Sequence, residues 1–286
     1  MENCLVIGDS VVCFEDFARS NHDNMCWRVA IPSYKRAATL RDKTLGFLHK
    51  AGINPSRIDI FVANEEQRKE YEDTIPSGWF DKIIVGFVGM MNIRNFIQDY
   101  YQEGEMIVCL DDDLKEIWKI GRDLKKQEIE SIPSLFDYAF SVCKQVGSDY
   151  WGIYAAGNTF YMKRQISLGL RYLIGSMWGM VVSHDRRTYV TMDDKEDFER
   201  SVRAYIKRGT VVRLDFVSVT SNYYGEKGGM QEERTEQRII ESGKRLMAMF
   251  PYSVVRNTAR KRHIEVKLVE RRENWKTLSN RKLKFL

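Results

Sequence analysis

The chain has 286 residues, enough for one large domain with a sizeable core. Hydrophobic residues make up 43% and charged residues 30%, which excludes a disordered chain, and no apolar run reaches the roughly 18 residues of a membrane-spanning helix. The net charge of +5 is unevenly spread: residues 251–286 hold eleven Lys and Arg against three Glu, so that segment is +8 and the remainder −3. A basic segment on a mildly acidic body points to a polyanionic partner or to a solvated tail. The five cysteines, Cys4, Cys13, Cys26, Cys109 and Cys143, form no Cys-x-x-Cys pair, which argues against a disulfide framework or zinc knuckle and for reduced packing thiols. Met1 to Asp16 lacks the basic start of a signal peptide, and the expected location is a cytoplasm.

Residues 1–24 read as an N-terminal extension in which Cys4 to Ile7 can add an edge strand. From there strands and helices alternate. Arg28 to Ile31 is a short strand closed by Pro32. Ala37 to Lys50 has helical spacing, with Leu40, Thr44, Phe47 and Leu48 on one face, and Ala51-Gly52 stops it. Ile58 to Val62 reads as a buried strand, Glu65 to Glu72 as a polar helix and Lys82 to Val85 as a third strand. Asn92 to Tyr101 is helical through Ile93, Phe96, Ile97 and Tyr100, and Met106 to Leu110 is a fourth strand. This alternation predicts a Rossmann-like α/β fold, a mostly parallel sheet with helices on both faces.

The second half has strands without regular crossovers, which predicts a mixed sheet. Ile132 to Val146 reads as a helix; Trp151 to Ala155, Thr159 to Met162 and Met177 to Ser183 as strands; Glu196 to Arg208 as a helix; Val211 to Val219 as a strand; and Gln231 to Met249 as a long amphipathic helix. Beyond it lies the basic appendage, with a strand expected at Ile264 to Val269. The domain division is therefore an extension at 1–24, a domain at 25–250 with halves at 25–125 and 126–250, and the basic segment at 251–286.

Asp111-Asp112-Asp113 follows the fourth strand directly, and open α/β sheets bind ligands beyond the carboxyl ends of their strands. Three adjacent carboxylates repel one another unless a cation is shared. Alternate residues of an extended chain point to one side, so Asp111 and Asp113 can face a common ion. Oxygen donors select Mg²⁺ or Mn²⁺, which bind through one or two carboxylates plus substrate phosphates. The plainer alternative is an acidic cap on a helix beginning near Leu114.

Ile31-Pro32-Ser33-Tyr34-Lys35-Arg36, Lys43-Thr44-Leu45, Arg94-Asn95 and the Asp triplet, in that order, resemble the GT-A glycosyltransferases over about Cys26 to Gly229. More narrowly, the chain is similar to the TET-associated glycosyltransferases of phages, a group that includes hydroxymethylcytosine arabinosyltransferases. The resemblance implies a GT-A-like fold and a nucleotide-sugar site. Pro32, Ser33, Tyr34, Arg36, Lys43, Arg94, Asp111 and Asp112 would bind the donor, a UDP-sugar, and Asp111 and Asp113 would hold Mn²⁺ or Mg²⁺. The same resemblance makes Asp197, in Glu196-Asp197-Phe198, the catalytic base, with Asp194 next; the alternative is acids placed to stabilise a helix N-terminus. Gly225-Glu226-Lys227-Gly228-Gly229 reads either as a loop closing over the diphosphate or as a plain connection.

The implied acceptor is a hydroxymethylated pyrimidine in DNA, held through phosphate contacts from Arg260, Lys261, Arg262, Arg271 and Arg272, with Trp275 and Phe285 among them. Trp151, Tyr154, Tyr161 and Trp178 are either walls of a base pocket or core packing, and His184 is either a third ligand or part of a surface turn. A glycan, lipid or protein acceptor, a nucleotidyltransferase and a non-catalytic nucleic-acid-binding module remain as alternatives.

Overall fold

The computed structural model describes residues 4–7, 10–13, 25–221, 235–258 and 265–270. In chain order the elements begin with β1 (Cys4–Ile7) and β2 (Ser10–Cys13), then β3 (Trp27–Pro32), helix α1 over residues 37–50, β4 (Ile58–Val62) and α2 (Glu65–Thr74). Next come β5 (Lys82–Val85), α3 (Met90–Tyr100), β6 (Met106–Leu110), β7 (Leu114–Ile120), β8 (Lys126–Glu128) and α4 (Ile132–Val146). The second half holds β9 (Tyr150–Ile153), β10 (Ile166–Ser167), β11 (Met177–Val181), α5 (Glu196–Arg208), β12 (Val212–Leu214) and β13 (Val217–Ser221). Helix α6 (Glu236–Met249) and strands β14 (Val254–Arg256) and β15 (Val266–Leu268) follow.

An eight-stranded sheet in the order β10-β12-β9-β11-β6-β3-β4-β5 forms the centre. Strands β3 to β6 are mutually parallel; β11 runs against both β6 and β9, and β10 against β12. This is the mostly parallel sheet with a mixed second half that the alternation of elements predicts.

Every residue of β4 and four of five in β6 are buried, because helices cover both sides. On one side Val29, Ile31, Val108 and Leu110 meet Leu40, Leu45 and Leu48 of α1, Tyr71 of α2, and Leu135 and Phe136 of α4. On the other, Ala30, Ile107 and Cys109 meet Ile93 and Ile97 of α3, Val202 and Ala204 of α5, and Leu246 of α6. Each such aliphatic side chain taken wholly from water contributes about 1.5–3 kcal/mol. The β14–β15 pair, inside the segment read as a basic appendage, adds Val254 and Val266 to this second core.

Four readings change. Cys4–Ile7 pairs with β2 in a separate two-stranded sheet and not with the edge of the main one. Leu114, read as the start of a helix, opens β7, which pairs with β8 and β13 in a small antiparallel sheet. Thr159 to Met162 is a turn, with Tyr161 N–H donating to Asn158 and Met162 N–H to Thr159. The strand read at Val211 to Val219 breaks at Asp215-Phe216, where the chain leaves the large sheet for the small one. Asp215 fixes that break: its buried carboxylate accepts from Arg213 Nε at 2.6 Å, Ser167 Oγ at 2.5 Å and Gln165 Nε2 at 2.9 Å.

Candidate active site

Strands β3, β4 and β5 progress in one direction, and β6 then returns to the far side of β3. That reversal leaves a crevice beyond the carboxyl ends of β3 and β6, where open α/β sheets bind ligands. The crevice is occupied by a solvent-open cleft. Its walls include Pro32, Ser33, Tyr34 and Arg36 after β3, Arg94 of α3, all three aspartates after β6, Gly175, and Asp193 and Asp197 at the start of α5.

Thr44 holds the aspartate loop in place. Helix α1 contains a π turn at Arg41–Leu45, and this puts the fully buried Thr44 against the loop. Thr44 Oγ1 donates to the Asp111 carbonyl at 2.8 Å and accepts from Leu114 N–H at 2.9 Å. The Asp111 N–H donates to the Ser176 carbonyl at 3.0 Å. Both backbone ends of the triplet are therefore tied down before any ligand arrives.

The three carboxylates face different neighbours. Asp111 accepts from Arg94 Nη2 at 2.9 Å. Asp112 accepts from Ser33 Oγ at 2.6 Å, and Arg36 Nη1 lies 3.4 Å away. Ser33 Oγ sits 2.7 Å from the Tyr71 hydroxyl, which in turn accepts from the Arg36 N–H at 3.0 Å. Since Ser33 gives its proton to Asp112, Tyr71 donates to Ser33, and the relay ends on Asp112. Asp113 is placed nearer the charges of Arg36 and Lys43. Burial raises all three carboxyls above the usual range, Asp112 to about 6, while the neighbouring cations pull the other way.

Behind Asp111 lies a buried ionic network. Arg94 Nε is 3.6 Å from Glu196, Glu196 pairs with Arg200 Nη1 at 2.5 Å, and the Arg200 guanidinium lies 3.9 Å over the Trp178 ring. Arg94 Nη2 also donates to the Gly175 carbonyl at 3.2 Å. Burial pushes the Glu196 carboxyl up, against the pull of Arg200 and Arg94. The network joins the Asp triplet to the first turn of α5, whose next residue is Asp197.

Asp197 accepts at Oδ2 from the Tyr172 hydroxyl, 2.5 Å, and at Oδ1 from the Phe198 N–H, 2.9 Å. Tyr172 is held by stacking on Phe198, centroids 4.3 Å apart. Asp194 is buried outside the cleft lining and pairs with Arg238 Nε of α6 at 3.3 Å. The N-cap residue of α5 is Lys195, in the left-handed region, and its side chain makes no cap bond. Asp193 instead caps α3, accepting from the Met91 N–H at 2.9 Å. Gly89 permits this approach: it sits at φ 96°, and a Cβ there would lie 3.0 Å from the Asp193 carboxylate.

The cleft thus brings together Pro32, Ser33, Tyr34, Arg36, Arg94, Asp111, Asp112, Asp113 and Asp197, and leaves Asp194 outside. Lys43 stands behind Asp113 rather than on the lining. Trp151 and Trp178 are core residues at 0% and 2% exposure, Tyr154 is half-buried and Tyr161 is exposed. His184 is a surface residue whose Nε2 meets the Tyr101 carbonyl at 2.9 Å. Arg260, Lys261, Arg262, Arg271, Arg272, Trp275, Phe285 and the glycine-rich stretch Gly225 to Gly229 lie outside the described residues.

Sequence reasoning missed the Thr44 pin, Tyr71 and the Glu196–Arg200 pair. Tyr71 had a signal, as the one aromatic in an otherwise polar helix. Glu196 and Arg200, four apart on α5, have the spacing of an ordinary surface ion pair, which hides that both are buried.

No group of three His, Cys, Asp or Glu side chains converges to cage a metal ion among the described residues. The carboxylates on the cleft lining include those of Asp111 and Asp113. That set fits Mg²⁺ or Mn²⁺ sharing its coordination with substrate phosphates, and not a self-contained protein cage.

No protein-family model and no curated protein matches the sequence. Among solved structures the chain is similar to S. aureus TarS residues 1–349, a glycosyltransferase, with 14% identity and a TM-score of 0.43 over 80% of this chain and 73% of that one. No helix among the described residues is long and apolar enough to cross a membrane.

Proposed function

We propose that the chain is a glycosyltransferase that moves a sugar from a UDP-sugar to the hydroxymethyl group of a modified pyrimidine in DNA. The observation that carries the transfer reading is one cleft at the sheet's switch point with two chemistries on its walls. Asp111 and Asp113 line it together with Arg94 and Arg36, and Asp197 lines it as well. A diphosphate needs the first set, and an attacking hydroxyl needs the second. The hydroxymethylpyrimidine acceptor rests on the sequence resemblance and on the +8 charge of residues 251–286.

In this reading the β3 end, Pro32 to Arg36, cups the nucleotide. Arg94 and Arg36 face the diphosphate and stabilise the negative charge that grows as the sugar–phosphate bond breaks. Asp111 and Asp113 would hold a divalent cation delivered with the donor, and such an ion would supply Lewis-acid stabilisation of the leaving diphosphate. Asp197, oriented by Tyr172 and by its own helix's backbone, takes the proton of the acceptor hydroxyl as that oxygen bonds to the anomeric carbon. The C–O bond to the diphosphate breaks in the same displacement, and UDP leaves with the electron pair.

The test is UDP release measured with hydroxymethylpyrimidine DNA, a panel of UDP-sugars, and Mn²⁺, Mg²⁺ or EDTA. Metal-dependent release that requires the modified DNA supports the reading. No turnover with any donor, in the presence of either metal, removes it.

A further inference from the structure

Gly175 lies half-buried on the cleft lining, in the segment that leads into β11. Its backbone is held from the donor side. The Gly175 carbonyl accepts from Arg94 Nη2 at 3.2 Å, and the next carbonyl, of Ser176, accepts the Asp111 N–H at 3.0 Å. The residue therefore keeps a fixed place beside the guanidinium that faces the diphosphate.

Among the described residues nothing demands a glycine at that place. The backbone of Gly175 is not in the left-handed region, so residues with a side chain can adopt it. A Cβ added there would lie 3.4 Å from Glu196 Oε1, 3.9 Å from Asp197 Cβ and 4.0 Å from Arg94 Nη2, all ordinary contact distances. Two other glycines show the contrast: Gly89 needs its positive φ, and at Gly179 a Cβ would run into the Trp151 indole. A glycine that could be alanine lowers stability, through the extra freedom of the unfolded chain. The bare backbone at 175 is accounted for by a ligand.

The ligand follows from what surrounds the space. A Cβ at 175 would touch both Arg94, which faces the diphosphate, and Asp197, the base. In a direct displacement the transferred group sits between the leaving diphosphate and the attacking hydroxyl, so this is where the sugar ring must fit. The atom nearest that point is a carboxylate oxygen of Glu196, with Asp197 beside it. Carboxylates accept from sugar hydroxyls and repel a sugar acid. The room gained by leaving out a side chain is on the scale of one carbon, which is the scale on which a hexose differs from a pentose.

We infer that Gly175 is the specificity-determining residue for the sugar, its bare backbone admitting an uncharged hexose that a side chain would exclude. The inference rests on the transfer reading above.

The test is calorimetric binding of UDP, UDP-xylose, UDP-glucose, UDP-galactose and UDP-glucuronate, with Mn²⁺, to the whole chain and to its Gly175→Ala and Gly175→Val variants. The parent is expected to bind the better of the two hexose donors more tightly than the xylose and glucuronate donors. Gly175→Ala should weaken that hexose donor about tenfold, the order of one methyl group in a fitted pocket, and Gly175→Val should weaken it further, with UDP itself unchanged within about twofold. The urea midpoint of Gly175→Ala should equal or exceed that of the parent. An equal loss for UDP, a lowered midpoint in Gly175→Ala, or hexose-donor binding that survives both substitutions overturns the inference. So does a parent that binds UDP and favours the xylose or glucuronate donor; in each of these cases the donor reading stands. If the parent binds neither UDP nor any UDP-sugar, the transfer reading fails and takes this inference with it.

Discussion

Thr44→Val separates the architecture of the site from its chemistry. Valine keeps the volume and the β-branching of the fully buried Thr44, so packing is conserved. Only the hydroxyl is lost, and with it the bond to the Asp111 carbonyl at 2.8 Å and the bond from Leu114 N–H at 2.9 Å. Both backbone groups then stay buried without that partner, at about 1–3 kcal/mol each, so the variant should lose roughly 2–6 kcal/mol of stability. Urea unfolding reads this as a lower midpoint at unchanged slope. The freed Asp111 to Leu114 loop should also bind Mn²⁺ and UDP more weakly by calorimetry, whereas Thr44→Ser restores both properties. A Thr44→Val protein within about 0.5 kcal/mol of the parent, with unchanged UDP affinity, would refute the claim that this hydroxyl pins the triplet.

Asp197→Asn should lower turnover by about 10² to 10⁴-fold while leaving UDP-sugar affinity unchanged, because the amide keeps the shape and cannot take a proton; an equal loss in donor binding would contradict its role as base. Asp112 has its carboxyl raised to about 6 from 3.8, so the fold favours its protonated form. Its contribution to stability is full below about pH 4 and lost as pH rises through about 6. In EDTA, Asp112→Asn should therefore gain on the parent by roughly 2–3 kcal/mol between pH 4 and 7, and a constant difference across that range would count against a buried titrating Asp112. Changing Arg260, Lys261 and Arg262 together to Gln should reduce the slope of log binding constant against log salt by about 2 to 3 for DNA, measured by anisotropy; an unchanged slope removes these residues from the phosphate contacts. Substitution is the sharper perturbation here, since truncation at 251 also removes Val254 and Val266 from the core.

The first half of the fold was legible because each strand is a short apolar run and helices α1 and α3 carry 3.6-residue apolar stripes. Other segments resisted for local reasons. In β7, Leu114, Ile117 and Trp118 are buried at helical spacing, yet a bulge opposite Thr220 and Ser221 shifts the alternation and the segment is a strand. Val211 to Val219 is apolar apart from Arg213, Asp215 and Ser218, and only the partners of Asp215 reveal the change of sheet. In the site, the triplet and the β3 end could be read because their residue types and their position after strands carry the signal. The pin by Thr44 depends on a π turn, and the Arg94–Glu196–Arg200 network on contacts between α3 and α5. Neither leaves a pattern along the chain.

The central claim is that the crevice beyond β3 and β6 transfers a sugar from a nucleotide to a modified base. Mass spectrometry of hydroxymethylpyrimidine DNA after incubation with UDP-sugars and Mn²⁺ tests it most directly. The account predicts a mass increase of one glycosyl residue on the modified base, abolished in Asp111→Ala and by EDTA. A nucleotidyl increment, or an unaltered base with every donor, would contradict it.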